Sequence, residues 1–191
     1  MFTHPLVLQN ERVCLRPLEA TDFDALARIA FEPAIWRFTP SRIYHEEELQ
    51  HYLHTALQAR SSGQRYPFAM LDKHTNQLAG STSFANYSQK DARIEIGYTW
   101  LGLPFQKTGL NKACKFLLLK HAFEKMKVQR TELKTDLLNQ QSRRAMLGIG
   151  ATEEGVLRSH TAMHDGRRRD TIYYSILLHE WPGIKKRVFG C

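Results

Sequence analysis

Hydrophobic and polar positions alternate with a period of two in several short runs of the chain, a pattern typical of β-strands. Seven such runs predict strands over residues 12–18, 68–72, 77–84, 93–101, 131–136, 152–160 and 171–178. Gly97 interrupts the fourth run, and a glycine inside a strand indicates a β-bulge or the close approach of another backbone. The dipeptide Asp165-Gly166 is a strong turn signal, so the last two strands are predicted to form a hairpin.

Apolar residues recur every three or four positions in four other segments, which predicts amphipathic helices. The first helix follows a capping sequence at Thr21 and ends by Glu32, and the others are expected over residues 44–59, 109–126 and 139–149. The helix over 109–126 is apolar on two sides, which predicts a central position against the sheet. The order β-α-α-β-β-β-α-β-α-β-β predicts an α/β protein whose one sheet is mixed, as in α+β folds, with helices on the faces of the sheet.

The length of the chain limits how many domains it can form. A chain of 191 residues is long enough for one domain with a sizeable core, and neither a linker nor a repeat divides residues 1–191. No apolar run exceeds four residues, which is too short to cross a bilayer, and the N-terminal segment lacks the features of a secretion signal. We therefore expect a single-domain cytoplasmic protein that does not bind membranes. Whether it forms a homodimer stays open.

Cysteine and histidine residues show no recognisable metal-binding spacing. Cys14, Cys114 and Cys191 lie far apart and include no Cys-x-x-Cys pair, so reduced thiols are expected. His51 and His54 are three residues apart but have no obvious carboxylate or thiolate partner. No bound metal is expected.

The formal net charge of +8 predicts an anionic partner. A nucleic acid, an acidic protein and a phosphate-bearing cofactor all meet this requirement. Two basic clusters, at 167–169 and 185–187, are not interleaved with aromatic residues as in surfaces that bind single-stranded nucleic acids. Charge by itself therefore indicates weak affinity for anions rather than one specific function.

The segment 106–111 lies between a predicted strand and a predicted helix. Backbone N–H groups at a helix N-terminus, together with the helix dipole, can bind a pyrophosphate without a charged side chain. Gly109 would allow a close approach to this backbone, and Lys107 and Lys112 add positive charge. An ordinary strand-to-helix turn also explains the segment, which contains neither Gly-x-Gly-x-x-Gly nor a Gly-Lys-Ser/Thr phosphate loop.

In the stretch FQKTGLN at 105–111, this loop resembles the Gln/Arg-x-x-Gly-x-Gly/Ala motif of the GNAT N-acetyltransferase superfamily, which grips the pyrophosphate of acetyl-CoA. Three further stretches are similar to the RimJ/RimL-type branch: EIGYTW at 95–100, ELKTDLLNQQSRRAM at 132–146 and VLRSHTAMHDGRRRDTIYYSIL at 156–177. The resemblance extends from Arg12 to Trp181 and implies the GNAT-like acyl-CoA N-acyltransferase fold.

The resemblance also implies how the residues would hold acetyl-CoA. The loop backbone would bind the pyrophosphate, and the bulged strand end near Gly97 would pair with the pantetheine arm and polarise the thioester carbonyl. Asn139 would lie beside the cofactor, and Ser142 would face its sulfur. The expected cofactor-binding residues are Trp100, Leu101, Gln106, Lys107, Thr108, Gly109, Leu110, Asn111, Lys112, Asn139 and Ser142.

Two residues are candidates for catalysis. Ser142 matches the serine that, in the RimL-like pattern, hydrogen-bonds the leaving thiolate and helps to return its proton. A helix-capping hydroxyl is the alternative interpretation. Glu95 lies on the strand that borders the expected thioester and is the candidate base for the amine, directly or through water. An ion-paired strand carboxylate is the alternative for Glu95.

Two positions depart from the superfamily pattern. Asn111 stands where the motif usually has Gly or Ala, although RimJ/RimL-like sequences often carry asparagine there. Met146 stands where many GNAT enzymes place a tyrosine that acts as the general acid. The role of proton donor would therefore fall to Ser142 or to water.

Together these features predict an acetyl-CoA-dependent N-acetyltransferase in which a primary amine attacks directly in a ternary complex. The expected acceptor is the N-terminal α-amine of a protein, of the ribosomal-protein type, while a small-molecule amine or an amino acid stays open. Two other classes also stay open: a non-catalytic acyl-CoA-binding protein, because of Met146, and a basic RNA- or ribosome-binding protein, because of the charge. Contact with nucleic acid is expected only in a ribosomal context.

Overall fold

The computed structural model describes residues 4–191, which form an eight-stranded sheet and six α-helices. The strands are β1 (Leu8–Gln9), β2 (Val13–Pro17), β3 (Arg65–Asp72), β4 (Gln77–Ser88), β5 (Arg93–Leu101), β6 (Arg130–Asp136), β7 (Thr152–Ala162) and β8 (Arg168–Leu177). The helices are α1 (Phe23–Ala30), α2 (Pro33–Trp36), α3 (Glu46–Ser61), α4 (Leu110–Lys120), α5 (Gln140–Gly148) and α6 (Trp181–Phe189). The shorter 3₁₀ turns are Ala20–Asp22 and Leu103–Phe105.

The strands follow the order β1-β2-β3-β4-β5-β6-β8-β7 across the sheet. Only β5 and β6 are parallel neighbours, and every other neighbouring pair is antiparallel. The connection between β5 and β6 contains α4, as a parallel crossover requires. The predicted mixed α/β fold and the predicted hairpin of the last two strands are confirmed.

Three elements were missed by the sequence analysis: β1, α2 and α6. β1 has only two residues, and α6 follows the last predicted strand. Pro33 was expected to lie beyond a helix end, but it occupies the first turn of α2, where a missing N–H has no cost. The predicted helix over 109–126 is divided, because α4 passes into a π-helical turn at His121–Lys125.

Two apolar clusters pack on opposite faces of the sheet. On one face, α4 packs against side chains of β5, β6 and β8, and the α4 residues Cys114 and Leu118 have no exposed surface. The central position predicted for this helix is confirmed. On the other face, α1 and α3 pack over β4 and β3, and Trp36 and Trp100 join their apolar cluster.

The bulge predicted from Gly97 is present in β5. Ser81 pairs with Trp100 whereas Ser83 pairs with Gly97, so β5 holds one extra residue between these two pairs. Tyr98 has a φ angle of 51°, the left-handed conformation that such an extra residue often adopts. The ring of Tyr98 is consequently exposed at the surface of the sheet.

Gly80 allows β4 to approach the end of β5 beyond the bulge. Its φ angle is 149°, and a Cβ atom there would lie 2.1 Å from the carbonyl oxygen of Trp100. We predict that Gly80→Ala lowers the free energy of unfolding by about 3 kcal/mol or more, because backbone strain and overpacking combine. The effect is measured by urea denaturation.

Gly63→Ala is the matched control, because Gly63 has a φ angle of 74° but a Cβ atom there would meet no atom within 4 Å. Conformational strain alone should cost that variant about 1 kcal/mol. Equal losses in the two variants would show that the approach of β4 to β5 does not constrain the fold.

Candidate active site

β5 and β6 run parallel, but they pair only at their beginnings. Residues 93–95 pair with residues 130–132, and no pairing follows. Residues 96–101 and 133–136 therefore face a gap in the middle of the sheet with backbone N–H and C=O groups that are not joined to each other. Such groups require a hydrogen-bond partner. An extended ligand inserted between the strands would supply one, as peptides do when they add to a sheet edge.

The loop 106–111 forms a concave set of backbone N–H groups beside this gap. Lys107 and Gly109 have positive φ angles of 62° and 84°. Within residues 4–191, the N–H groups of residues 107, 108, 109, 111 and 112 have no hydrogen-bond acceptor. Consecutive N–H groups in such a conformation, followed by the N-terminus of α4, constitute an anion-binding nest. A Cβ on Gly109 would meet no atom within 4 Å, so the space before the nest is open.

Side chains of the loop hold this backbone in place. Gln106 donates from Nε2 to the carbonyl oxygen of Leu101 at 3.0 Å and accepts from Nε2 of Gln141 at 3.1 Å. Thr108 donates from Oγ1 to the carbonyl oxygen of Phe105 at 2.8 Å. Gln106 therefore links the end of β5 to α5, and Lys107 and Lys112 add charge around the nest.

Three of the predicted cofactor residues have side chains in the protein core. Trp100 and Leu101 are 5% and 8% exposed, and Leu110 is fully buried. The indole Nε1 of Trp100 donates to the hydroxyl of Tyr52 at 3.2 Å. These residues can therefore contact a ligand in the gap or the nest mainly through their backbone.

Asn111 has a polar atom that no protein group satisfies. Among the residues that the structure describes, its Oδ1 is the one buried side-chain oxygen or nitrogen without a hydrogen-bond partner. A buried amide oxygen of this kind costs free energy unless something donates to it. Asn111 lies in the first turn of α4, next to the nest, and this oxygen is shielded from solvent.

Asn139 and Ser142 stand at the start of α5. The side chain of Asn139 accepts from the backbone N–H of Ser142 at 3.0 Å, so Asn139 is the N-cap of α5. The hydroxyl of Ser142 makes no hydrogen bond to any of residues 4–191, and the side chain is half-buried. The capping role thus belongs to Asn139, and Ser142 Oγ is available to a ligand.

Glu95 is 4% exposed and lies where the pairing of β5 and β6 ends. Its Oε2 accepts from Nζ of Lys134 at 2.9 Å and from Nδ2 of Asn86 at 2.7 Å. Burial lowers the pKa of Lys134 and the contact with Glu95 raises it, and the net result is an increase. Oε1 of Glu95 has no hydrogen-bond partner among residues 4–191. Glu95 is therefore an ion-paired carboxylate with one oxygen available as a proton acceptor.

The faces of β6 and β8 that point away from α4 are polar. Leu133 and Tyr174 pack in the α4 cluster, so the residues next to them in each strand point to the opposite side. There Lys134 pairs with Tyr173, and Asp136 pairs with Thr171. We call this set, with Glu95, the polar face; it consists of Glu95, Lys134, Asp136, Thr171 and Tyr173.

Four aromatic side chains of β5 and β8, those of Tyr98, Trp100, Tyr173 and Tyr174, divide between the surface and the core. Tyr98 is 52% exposed and stacks on the guanidinium of Arg65, whose Cζ lies 3.9 Å from the ring centroid. Tyr173 faces Lys134, with Nζ 5.7 Å from its ring centroid. Trp100 and Tyr174 are buried, so of these four rings only those of Tyr98 and Tyr173 are accessible from solvent.

Two loops distant in sequence meet beside the polar face. Nε2 of His164, in the β7–β8 turn, lies 3.3 Å from the carbonyl oxygen of Trp36. The ring of His164 also makes an edge contact with Tyr44, with centroids 6.2 Å apart. The region from Trp36 to Tyr44 and the β7–β8 turn are thus in contact with each other.

Lys115 is a buried cation that the sequence analysis missed. Its Nζ donates to Oγ1 of Thr99, beside the bulge, at 2.8 Å, and no carboxylate of residues 4–191 lies within 4.0 Å. Burial lowers the pKa of Lys115 to about 8. A lysine within the apolar stripe of the helix was the available signal, because such positions normally carry apolar residues.

Comparison with known proteins identifies the family. Residues 12–152 match the family model described as "Acetyltransferase (GNAT) domain", so the chain belongs to the GNAT acetyltransferases. GNAT domains use acetyl-CoA as co-substrate. The resemblance seen in the sequence is confirmed.

Individual relatives support the RimJ/RimL branch. A Bacillus subtilis (strain 168) protein named "Putative ribosomal N-acetyltransferase YdaF" is 33% identical over 112 residues, which are 59% of this chain and 60% of that protein. A T. thermophilus crystal structure described as a "putative acetyltransferase" is 35% identical with a TM-score of 0.89, covering 100% of this chain and 98% of the other. The "RimL- Ribosomal L7/L12 alpha-N-protein acetyltransferase" structure shares the fold at 19% identity, with a TM-score of 0.79 and coverage of 91% and 94%.

Membrane-spanning helices and metal clusters are both absent from the described part of the chain. None of the helices within residues 4–191 is both long and apolar enough to span a membrane. Over the same residues, no three His, Cys, Asp or Glu side chains are grouped so that they could hold a metal ion.

The low pKa of Lys115 predicts a pH-dependent stability. In the unfolded chain this lysine keeps its proton up to its ordinary pKa of 10.5, whereas the folded protein releases it near 8. The cost of burying the charge is therefore fully present below pH 8, and stability recovers as the pH rises towards 10.5. We predict that Lys115→Met is more stable than the wild type at pH 7, by roughly 1–3 kcal/mol.

The measurement is urea denaturation at pH 7 and at pH 9.5, with the exposed Lys120→Met as control. The advantage of Lys115→Met should shrink at the higher pH, while the control should show no such change. An advantage that is the same at both pH values would contradict the assignment of a buried, titrating Lys115.

Proposed function

We propose that this GNAT acetyltransferase transfers an acetyl group from acetyl-CoA to the N-terminal α-amine of a protein, by direct attack in a ternary complex. The observation that carries the proposal is the gap between β5 and β6. The gap begins next to the carboxylate of Glu95 and opens towards the nest of residues 107–112. One extended ligand that carries a pyrophosphate beyond its extended arm matches both the gap and the nest.

Several features of the chain fit acetyl-CoA. The N–H groups of the nest would bind its pyrophosphate, with Lys107 and Lys112 nearby as counter-charges. The backbone groups of residues 96–101 that point away from β4 and towards the gap would hydrogen-bond the amide groups of the pantetheine arm. When bound, acetyl-CoA supplies the acetyl group as an activated thioester.

Glu95 and Ser142 would carry out the proton transfers in this site. Oε1 of Glu95 would accept a proton from the attacking amine, directly or through water, while Lys134 and Asn86 hold Oε2. A backbone N–H of β5 would stabilise the charge that develops on the carbonyl oxygen. The unengaged hydroxyl of Ser142 would donate to the leaving sulfur. Met146 lies partly buried against the α4 cluster and offers no proton.

An α-amine suits this site better than a lysine side chain. The α-amino group has a pKa of about 8 and lysine about 10.4, so a larger fraction of α-amine is neutral at physiological pH. The relative YdaF is named a ribosomal N-acetyltransferase and RimL an acetyltransferase of ribosomal L7/L12, and both names support a protein acceptor.

Binding of acetyl-CoA is tested by calorimetry with Gly109→Glu. A carboxylate at the nest should repel the pyrophosphate and lower affinity at least about 100-fold, because it replaces favourable charge interactions with a repulsive one. Gly63→Glu is the matched control, since Gly63 has a similar φ angle of 74° and equally open surroundings but lies at the end of α3. Tight binding by Gly109→Glu would contradict the assignment of the nest.

Catalysis is tested by thiol release from acetyl-CoA in the presence of a peptide with a free N-terminus. Glu95→Gln should lower kcat by about 10²–10⁴-fold, and its residual rate should rise with pH as more of the amine loses its proton. Glu132→Gln is the matched control, because Glu132 pairs with Glu95 in register but bonds to Arg130. An unchanged kcat in Glu95→Gln would exclude Glu95 as the base. Absence of thiol release from the wild type with any amine would favour a non-catalytic acyl-CoA-binding protein.

A further inference from the structure

Arg169 is a buried cation beside the polar face. It is 6% exposed, and its Nε donates to Oγ1 of Thr171 at 3.0 Å. Within residues 4–191, no carboxylate lies within 4.0 Å of its guanidinium, and its two Nη groups donate to no protein acceptor. Neither Nη is sealed from solvent, because Asn111 Oδ1 is the one buried, unpartnered side-chain N or O atom in the described chain. The four N–H donors of the two Nη groups are therefore unpaired within the described residues and are not fully shielded from solvent.

The carboxylates nearest to Arg169 are already engaged with other cations. Asp136, which is 1% exposed, bonds to Nη2 of Arg167. Glu95 bonds to Lys134. The charges of Asp136 and Glu95 are thus matched by one cation each, and Arg169 is left as a surplus positive charge.

The unmatched positive charge of Arg169 destabilises the folded protein when no ligand is bound. Burial of Arg169 lowers its pKa, while Asp136, Tyr173 and Glu95 act in the opposite direction and Arg167 reinforces the decrease. A buried charge without a partner is expensive, whereas a carboxylate bonded by two guanidinium N–H groups makes one of the stronger polar contacts in proteins. The site is therefore complementary to an incoming carboxylate.

The strand register places the partners of this cation and of the base two residues apart along β8. Lys134, which holds Glu95, pairs with Tyr173, and the bonded partner Thr171 of Arg169 lies two residues further along β8. Two residues of a strand span about 7 Å. In an amino acid, one carbon separates the amine from the α-carboxylate, which is too short for this span. In a peptide, the side-chain carboxylate of the second residue reaches it.

We propose that Arg169 binds a carboxylate of the acceptor and thereby selects peptide N-termini with an acidic second residue. This inference rests on the proposed function, because it requires that the attacking amine lies next to Glu95. Arg169 acts as a residue that determines specificity and takes no part in proton transfer.

The test compares thiol release with two amidated peptides, Ser-Asp-Ala-Gly and Ser-Asn-Ala-Gly, which differ in one charge. The wild type should show at least about tenfold higher kcat/KM for the Asp peptide, mainly through KM, as expected for a charge-assisted contact. In Arg169→Met the ratio of the two values should fall close to one. Arg169→Glu should reverse the preference towards Ser-Lys-Ala-Gly.

Arg168→Met is the control variant, because Arg168 is exposed and bonds to Ser159. It should retain the wild-type ratio. Thermal unfolding of each variant reports on folding, and Arg169→Lys, which keeps the charge, should keep part of the preference if Arg169→Met does not fold. The peptide comparison on the wild type requires no variant.

The outcomes separate this inference from the proposed function. Equal kcat/KM for both peptides in the wild type, or an unchanged ratio in Arg169→Met, would overturn the role of Arg169 while peptide acetylation stands. Faster turnover of free aspartate or of an ω-amino acid than of the Asp peptide would overturn the peptide class of acceptor. No turnover of any peptide would overturn the proposed function and this inference together.

Discussion

The early end of the pairing between β5 and β6 is the constraint on which the rest of the site depends. A sheet that pairs along its whole length satisfies its own backbone and has nothing to offer a ligand. Here the pairs stop at Glu95 and Glu132, and the bulge at Tyr98 bends the remainder of β5. Because α4 begins just after β5, its N-terminus and the nest before it open at the same end as the gap.

The two faces of the sheet differ in polarity and in role. The face towards α4 is apolar and holds the strands and the nest in a fixed relation, with Lys115 as the one buried cation that contacts the bulged strand from that side in the described chain. The opposite face, beyond the cover of α1 and α3, carries Glu95, Lys134 and Asp136 in ion pairs. These buried charges cost little free energy because each carboxylate forms an ion pair. Arg169 differs from them, because it forms no ion pair with any described residue.

Much of the fold followed from local patterns. The strands, the long helices and the bulge at Gly97 were predicted because side-chain period and glycine position act over a few residues. β1 and α6 were missed because two residues carry no period, and because the pattern of α6 depends on packing against Phe116 and Phe123. The π-helical turn after α4 was missed for a similar reason. The spacing of apolar residues does not show whether a backbone N–H bonds to the carbonyl four or five residues before it.

The sequence by itself was sufficient to identify the family and the loop that resembles an anion-binding motif, because both are recognised from contiguous residues such as 105–111. It also named Glu95 and Ser142, but it left their surroundings undecided. Only the tertiary structure decided that Asn139 caps the helix while Ser142 stays unengaged, and that Glu95 bonds to Lys134 and Asn86. It alone brought Arg169 to the polar face without a carboxylate partner in the described chain. Strand register and ion pairing join residues far apart in the chain, and no local pattern encodes which of several acids and bases will meet.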